Sequence, residues 1–169
     1  MLAQLKNSYK AKKPAIEKRL NEFKNRKDEE IFHELAFCLL TPQSRAKTCW
    51  SAIENLKKNR LLFSDDPGEI RKYMTGVRFA NTKAKRIPLA RRLVNEIRAR
   101  RNSNPYELRD YLVKNINGYG YKEASHFLRN IGFDDFAILD RHILKNLLRY
   151  KVIDEIPKTL TKKRYLEIE

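Results

Sequence analysis

Lys122 and Asp140 lie eighteen positions apart in a stretch whose residue types could do chemistry. The residues before the lysine read Asn117-Gly118-Tyr119-Gly120-Tyr121, with two glycines one residue apart. Such a pair lets the backbone turn tightly with positive φ and lets another chain approach closely. A helix that follows begins with amide N–H groups aimed outward, which suits a phosphate. The lysine sits just inside that helix, and the aspartate opens the next one in Asp140-Arg141-His142-Ile143. A turn for phosphate, an amine and a carboxylate make a candidate active site on DNA.

Each feature has a plainer reading when taken alone. Gly-x-Gly turns also serve helix packing. Lys122 could contact phosphate as a point charge, and Asp140 could simply cap a helix from Arg141 to Arg149. Their coincidence favours chemistry. Leu112, Val113 and Ile116 before the turn, and Ala124, Phe127, Leu128 and Ile131 after it, fall at helical spacing. Both flanks therefore read as amphipathic helices, and the whole as a helix-hairpin-helix.

The elements that must position these residues also read as helices. Pro14 to Lys24 has proline at its start and an apolar stripe at Ile16, Leu20 and Phe23, preceded by a solvated basic arm at Lys10, Lys12 and Lys13. Asp28 caps a broad apolar helix carrying Ile31, Phe32, Leu35, Ala36, Leu39 and Leu40, which Pro42 stops. Gln43 lies in the gap. Ser44 is expected to cap a helix to Leu56, with Trp50 at core spacing. Asp66-Pro67 starts a short helix that Gly76 ends. Residues 77–86 then interleave Arg78, Lys83, Lys85 and Arg86 with Phe79, which suits backbone contact plus a base-stacking wedge. The plainer reading is a charged face with Phe79 tucked into the core. A helix from about Asn81 to Arg101 contains Pro88 and should kink or start late. Arg98, Arg100 and Arg101 near its end suit the helix dipole and need bind nothing. Asn104-Pro105 opens the first hairpin helix, and Lys158 to Glu169 begins another basic helix. There is no strand-like alternation, repeat or low-complexity segment, so the expected fold is all-α.

The 169 residues fit one compact unit, and their formal net charge is +16. That excess exceeds what solubility requires and predicts a polyanionic partner: nucleic acid first, an anionic membrane surface as the alternative. No apolar run is long enough to span a bilayer, and the N-terminus lacks an apolar signal core. Cys38 and Cys49 read as buried small hydrophobes in a reducing compartment.

Gly118-Tyr-Gly-Tyr-Lys122 with Asp140 in Asp-Arg-His-Ile resembles the helix-hairpin-helix DNA glycosylase superfamily, which includes endonuclease III and the 8-oxoguanine DNA glycosylases. Leu39-Leu40-Thr41-Pro42-Gln43-Ser44-Arg45-Ala46 resembles the family's Leu-Leu-Ser-x-Gln-x segment, and Gly76 to Ala84 its Gly-x-x-x-x-Lys-Ala loop. The Thr-Pro-Gln and Arg-Phe-x-Asn-x-Lys-Ala versions look most like the compact archaeal-type 8-oxoguanine DNA glycosylase/lyases. The resemblance implies a two-lobed fold with its site in the cleft between lobes, a single glycosylase unit over residues 1–169, and a helix-hairpin-helix over about 105–132. It further implies Lys122 as nucleophile and Asp140 as the essential carboxylate. Gln43 would fill the gap left by a flipped nucleotide, and Arg78, Phe79, Lys83, Gly118, Tyr119, Gly120 and His142 would join the DNA-binding surface. Family members continue past the position of Glu169 with helices that complete the base pocket, so a C-terminal helical segment is expected to be lacking here.

The implied activity is base-excision repair: displacement of the base by Lys122 through a Schiff base, then β-elimination at the abasic site. The expected partner is double-stranded DNA carrying a damaged base, bound by a monomer in a prokaryotic cytoplasm, associated with the nucleoid. No cofactor, cluster or metal is expected, since the four C-terminal cysteines of endonuclease III relatives have no counterpart. The alternatives are an endonuclease III-like enzyme for damaged pyrimidines, a non-catalytic helix-hairpin-helix DNA-binding module, and an RNA-associated basic protein supported by charge alone.

Overall fold

The apolar spacing resolves into helices throughout in a computed structural model, which describes residues 2–169; the first position of the expected 1–169 unit lies outside them. No strand occurs among the described residues. The centre is α2, here numbered after the long N-terminal α1 (Leu2–Lys24) and spanning Ile31–Leu40. Every residue of α2 except His33 is buried, as its nearly uninterrupted apolar sequence requires. Against it pack α3 (Ala46–Lys58), α5 (Ala80–Arg91) and α8 (Tyr121–Asn130). The short α4 (Pro67–Lys72) lies on α5, and α6 (Val94–Ala99) leads to α7 (Pro105–Asn115), which pairs with α8 as the hairpin. α9 (Arg141–Arg149) and α10 (Lys162–Ile168) build a second, smaller apolar cluster around Leu139, Leu144, Ile153 and Tyr165.

Several boundaries differ from the sequence reading. α1 begins at Leu2 and runs through Pro14, which sits inside it rather than at its start. The carbonyl that a proline leaves unbonded, on Lys10, belongs to an exposed stretch where water can take it. Of the expected stripe only Phe23 is buried; Ile16 is exposed. The single helix expected from Asn81 to Arg101 is two, α5 and α6, broken at Arg92-Leu93, a few residues beyond Pro88. Trp50 is 39% exposed and lies edge-on to Phe37 at 5.4 Å instead of filling the core. Arg98 and Arg101 bond to Asp28, Arg101 also to the Ile131 carbonyl, so these arginines stitch the fold. Both cysteines are free and buried.

The largest departure concerns Lys83. Placed by sequence on the DNA-binding surface, it is 3% exposed. Its ammonium donates to the Leu40 carbonyl (2.6 Å), the Pro42 carbonyl (2.7 Å) and the Ser44 hydroxyl (3.1 Å), which uses all three N–H bonds. Ser44 does not cap α3, whose N-cap is Arg45; its hydroxyl also accepts from the Arg78 amide at 3.0 Å. One buried amine thus closes the C-terminus of α2 and fastens the turn 41–45 to the loop 76–79. Burial lowers the pKa of that amine, the expected direction for a desolvated cation.

Lys83→Met should lower the unfolding free energy by about 1–3 kcal/mol, because buried acceptors lose a charged donor. Lys85→Met, on the exposed side of α5, should change it by less than about 0.5 kcal/mol. Urea denaturation of both variants checks this, and equal effects would return Lys83 to the surface role.

Candidate active site

The three helices that frame the site begin differently. α7 is capped by the Asn104 side chain, which accepts from the Tyr106 and Glu107 amides. α9 is capped by Asp140, whose Oδ1 accepts from the His142 and Ile143 amides, both at 2.8 Å. Oδ2 makes no hydrogen bond to the described residues. α8 has a glycine, Gly120, at its N-cap, so no N-cap side chain accepts from the amides of its first turn. Glu123 reaches back to the Gly120 amide at 3.2 Å. Of the two hairpin glycines only Gly118 is in the left-handed region, with φ +99°; Gly120 is extended at φ −107°. A Cβ on Gly118 would lie 3.0 Å from the Arg86 guanidinium carbon. The positive φ is what calls for glycine there, and the missing side chain lets an arginine from α5 lie against the backbone.

Lys122 is half-buried in the first turn of α8, and its amine is 3.2 Å from Glu123 Oε1. Lys122 and Asp140 line one cleft of about 1020 Å³, together with Gln43, Arg78, His126, Arg129 and His142. His126 lies one turn beyond Lys122 on the same helix and meets the Phe37 ring edge-on at 5.7 Å. Burial pushes its imidazole down to about 3, with the positive charges of Arg129 and Lys122 acting in the same direction and Asp140 opposing them. The cleft is thus lined by a neutral histidine as well as by a lysine and an aspartate.

Gln43 and Phe79, at the tips of the two loops that Ser44 and Lys83 join, both have left-handed backbones, with φ of 56° and 57°. Non-glycine residues rarely sit there, and the strain is held only where surrounding structure enforces it. Both side chains are exposed, and the Phe79 ring carries the Arg78 guanidinium 5.5 Å above it. Phe79 is therefore a presented ring and not a core residue.

Tyr119 and Lys83 leave the expected surface. Tyr119 is buried, its hydroxyl donates to the Leu35 carbonyl at 2.8 Å, and its amide donates to the Ile116 carbonyl. Neither end of the residue is free for a phosphate. Sequence reasoning did not single out His126 or Glu123. Their positions at i+4 and i+1 from Lys122 could have flagged them, although burial decides both and a sequence does not state it.

Among the described residues no group of three His, Cys, Asp or Glu side chains converges as a metal site would require. No helix of the described residues is long and apolar enough to cross a membrane.

Residues 16–169 match the family model described as 8-oxoguanine DNA glycosylase. This chain belongs to that family. Proteins named 8-oxoguanine DNA glycosylase/AP lyase from Fusobacterium nucleatum subsp. nucleatum and Methanocaldococcus jannaschii are 46% and 44% identical to it, over 98% and 99% of this chain and 82% of each relative. The 8-oxoguanine DNA glycosylase of Thermotoga maritima superposes with a TM-score of 0.90 at 36% identity, covering 99% of this chain and 83% of that one. The Methanocaldococcus jannaschii 8-oxoguanine glycosylase/lyase, solved with a 15mer DNA containing 8-oxoguanine, superposes at 0.84 with 42% identity over 92% of this chain and 77% of that one. The expected helix-hairpin-helix glycosylase family and its all-α fold are thereby borne out.

An imidazole that titrates at about 3 when folded and near 6.5 when free takes up a proton first in the unfolded chain. Its contribution to stability is complete above pH 6.5 and is lost as pH falls toward 3. From this group alone the loss is about 1.4 kcal/mol per pH unit. Between pH 7 and pH 5 the parent protein should therefore lose up to about 2 kcal/mol more than His126→Asn, as urea unfolding at the two pH values would measure.

Proposed function

We propose that this chain is a bifunctional DNA base-excision-repair enzyme, an N-glycosylase that removes 8-oxoguanine and a lyase that nicks the resulting abasic site. The observation that carries the reading is one cleft holding the Lys122 amine and the Asp140 carboxylate, in a family whose relatives bear the name 8-oxoguanine DNA glycosylase/AP lyase. A DNA-binding module would need the hairpin and the charge but not this pair.

In this reading the strand beside the lesion rests on the open first turn of α8, where the amides at the N-terminus and Arg86 across Gly118 meet phosphate. The damaged nucleotide turns out of the duplex into the cleft, at a cost of a few kcal/mol in stacking. Gln43 enters the gap with amide donors and acceptors for the orphaned base edge, and Phe79 stacks beside it. Arg78 and His142 hold the backbone. Lys122 gives a proton to the Glu123 carboxylate beside it and attacks C1′ as the amine, the glycosidic bond breaks, and the base leaves with the bonding pair. The Asp140 carboxylate, beside the sugar, stabilises the positive charge that develops there. The amine becomes a Schiff base with the opened sugar, loss of a C2′ proton follows, and the bond to the 3′ phosphate breaks. The glycosylase is a single unit, with the helix-hairpin-helix over 105–132. It acts as a monomer, because one chain supplies every group named. A cytoplasmic, nucleoid-associated setting in a prokaryote fits the +16 charge and the bacterial and archaeal relatives.

Borohydride added to the protein and an 8-oxoguanine duplex should trap a covalent protein–DNA adduct that Lys122→Gln abolishes while still binding DNA. An adduct only with a plain abasic duplex would leave the lyase and remove the glycosylase. No adduct with either would leave a binding module.

Phe79→Gly should separate stability from function. Releasing the left-handed strain should keep or raise the melting temperature, by up to about 1 kcal/mol of stability. Loss of the stacking ring should weaken affinity for lesion DNA by about 1–3 kcal/mol. Thermal melts and a binding titration read the two effects separately.

A further inference from the structure

Lys122 opens α8, whereas Asp140 ends the separate loop 131–140, so something must set the distance between them. The start of that loop bonds back to the C-terminal end of α8, and α10 joins its far end, next to Asp140, to α8. Tyr165, 1% exposed, donates its hydroxyl to the Ala137 carbonyl at 2.6 Å and accepts from the Leu139 amide at 3.3 Å. The same oxygen lies 3.3 Å from the Ser125 hydroxyl on α8, and its ring is 5.7 Å from that of Tyr121, the neighbour of Lys122. The Asp140 amide in turn donates to the Ile138 carbonyl at 2.8 Å, so a shift at 137–139 passes directly to Asp140.

Under this junction lies a buried cation. Arg109 is 1% exposed and sits within 5.8 Å of four ring centroids, those of Tyr106, Tyr121, Phe136 and Tyr165. It donates to Ser125 Oγ at 3.2 Å and Glu169 Oε1 at 2.7 Å, and its Nε is buried without a partner. Glu169 Oε1 also accepts from the Ala137 amide at 3.1 Å. An apolar plug would fill this space without the penalty of desolvating a guanidinium. The rings and polar atoms around Arg109 instead come from α7, α8, α10 and the Asp140 loop, the same four elements that meet at Tyr165.

We propose that Tyr165, seated against Arg109, is the positioning residue that fixes Asp140 relative to Lys122. The proposal rests on the assignment of that pair to catalysis. It acts through geometry, since a displacement of about 1 Å in a catalytic group can lower a rate by about a hundredfold.

Tyr165→Phe keeps the ring over Arg109 and removes only the hydroxyl. Its single-turnover excision rate on saturating 8-oxoguanine duplex should fall about tenfold or more, with affinity for abasic duplex unchanged within about twofold. In an Asp140→Asn background the same substitution should cause no further loss, because there is no carboxylate left to misplace. An unchanged rate, or the same fold-loss in both backgrounds, overturns the proposal. Leu160→Ala controls for stability: it thins the same apolar cluster but leaves every hydrogen bond of Tyr165 to 137–139 in place, and it should lower the melting temperature while sparing the rate. A rate loss in Leu160→Ala equal to that in Tyr165→Phe would also overturn the proposal. Lys122→Gln is run alongside, and a surviving borohydride adduct there would remove the nucleophile assignment and the proposal with it.

Discussion

The site depends on a buried ammonium that has no carboxylate partner. Lys83 satisfies its charge with two main-chain carbonyls and a hydroxyl, from the last residue of α2 and the segment that follows it. Carbonyl dipoles can replace water only if they are held in place, so the amine imposes one conformation on residues 40–44. The same hydroxyl that closes its coordination also accepts from the Arg78 amide. Two loops that are distant in sequence are thereby locked together, and the residues at their tips, Gln43 and Phe79, are held in backbone conformations they would not choose. The strain is maintained by polar contacts that start from a buried amine.

A second constraint is the division of labour among helix starts. Asn104 and Asp140 cap their own helices with side-chain oxygens, and the Asp140 bonds also fix the orientation of its carboxylate. α8 starts from glycine and leaves its positive end open. One helix start thus lacks an N-cap side chain, another holds an anion of its own, and Lys122 sits in the first turn of the former, in the cleft that Asp140 also lines.

The fold class and most helix starts were legible in the sequence because they depend on local chemistry. Asp66-Pro67, Asn104-Pro105 and Asp140 are capping signals that need no tertiary context, and each caps the helix it was expected to cap. The convergence of Lys122, Asp140 and Gln43 was legible through motif order. Burial was not. Lys83 sits in a basic stretch that reads as a DNA-contacting one, and only the position of α2 shows that its amine points inward. Tyr119 lies between two glycines, where an aromatic ring reads as exposed, yet α2 offers its hydroxyl a carbonyl. Arg109 carries no sequence signal of its own, because the four rings around it come from positions 106, 121, 136 and 165. Trp50 failed in the opposite direction: it has core spacing on α3, but no element covers it.

The enclosure of Arg109 divides the response of the molecule to ionic strength. Exposed charges lose their reach when the Debye length shrinks to about 8 Å at 0.15 M salt, whereas a cation sealed among rings sees no counterions. The grip on an anionic polymer comes from a surface with a net charge of +16 and will weaken steeply as salt rises. The spacing between Lys122 and Asp140, referred to a guanidinium that salt does not reach, will stay as it is. Such an enzyme would let go of its polymer at high salt while keeping its reacting groups in register, so ionic strength would set how long it stays bound and leave the rate of the bound complex nearly untouched.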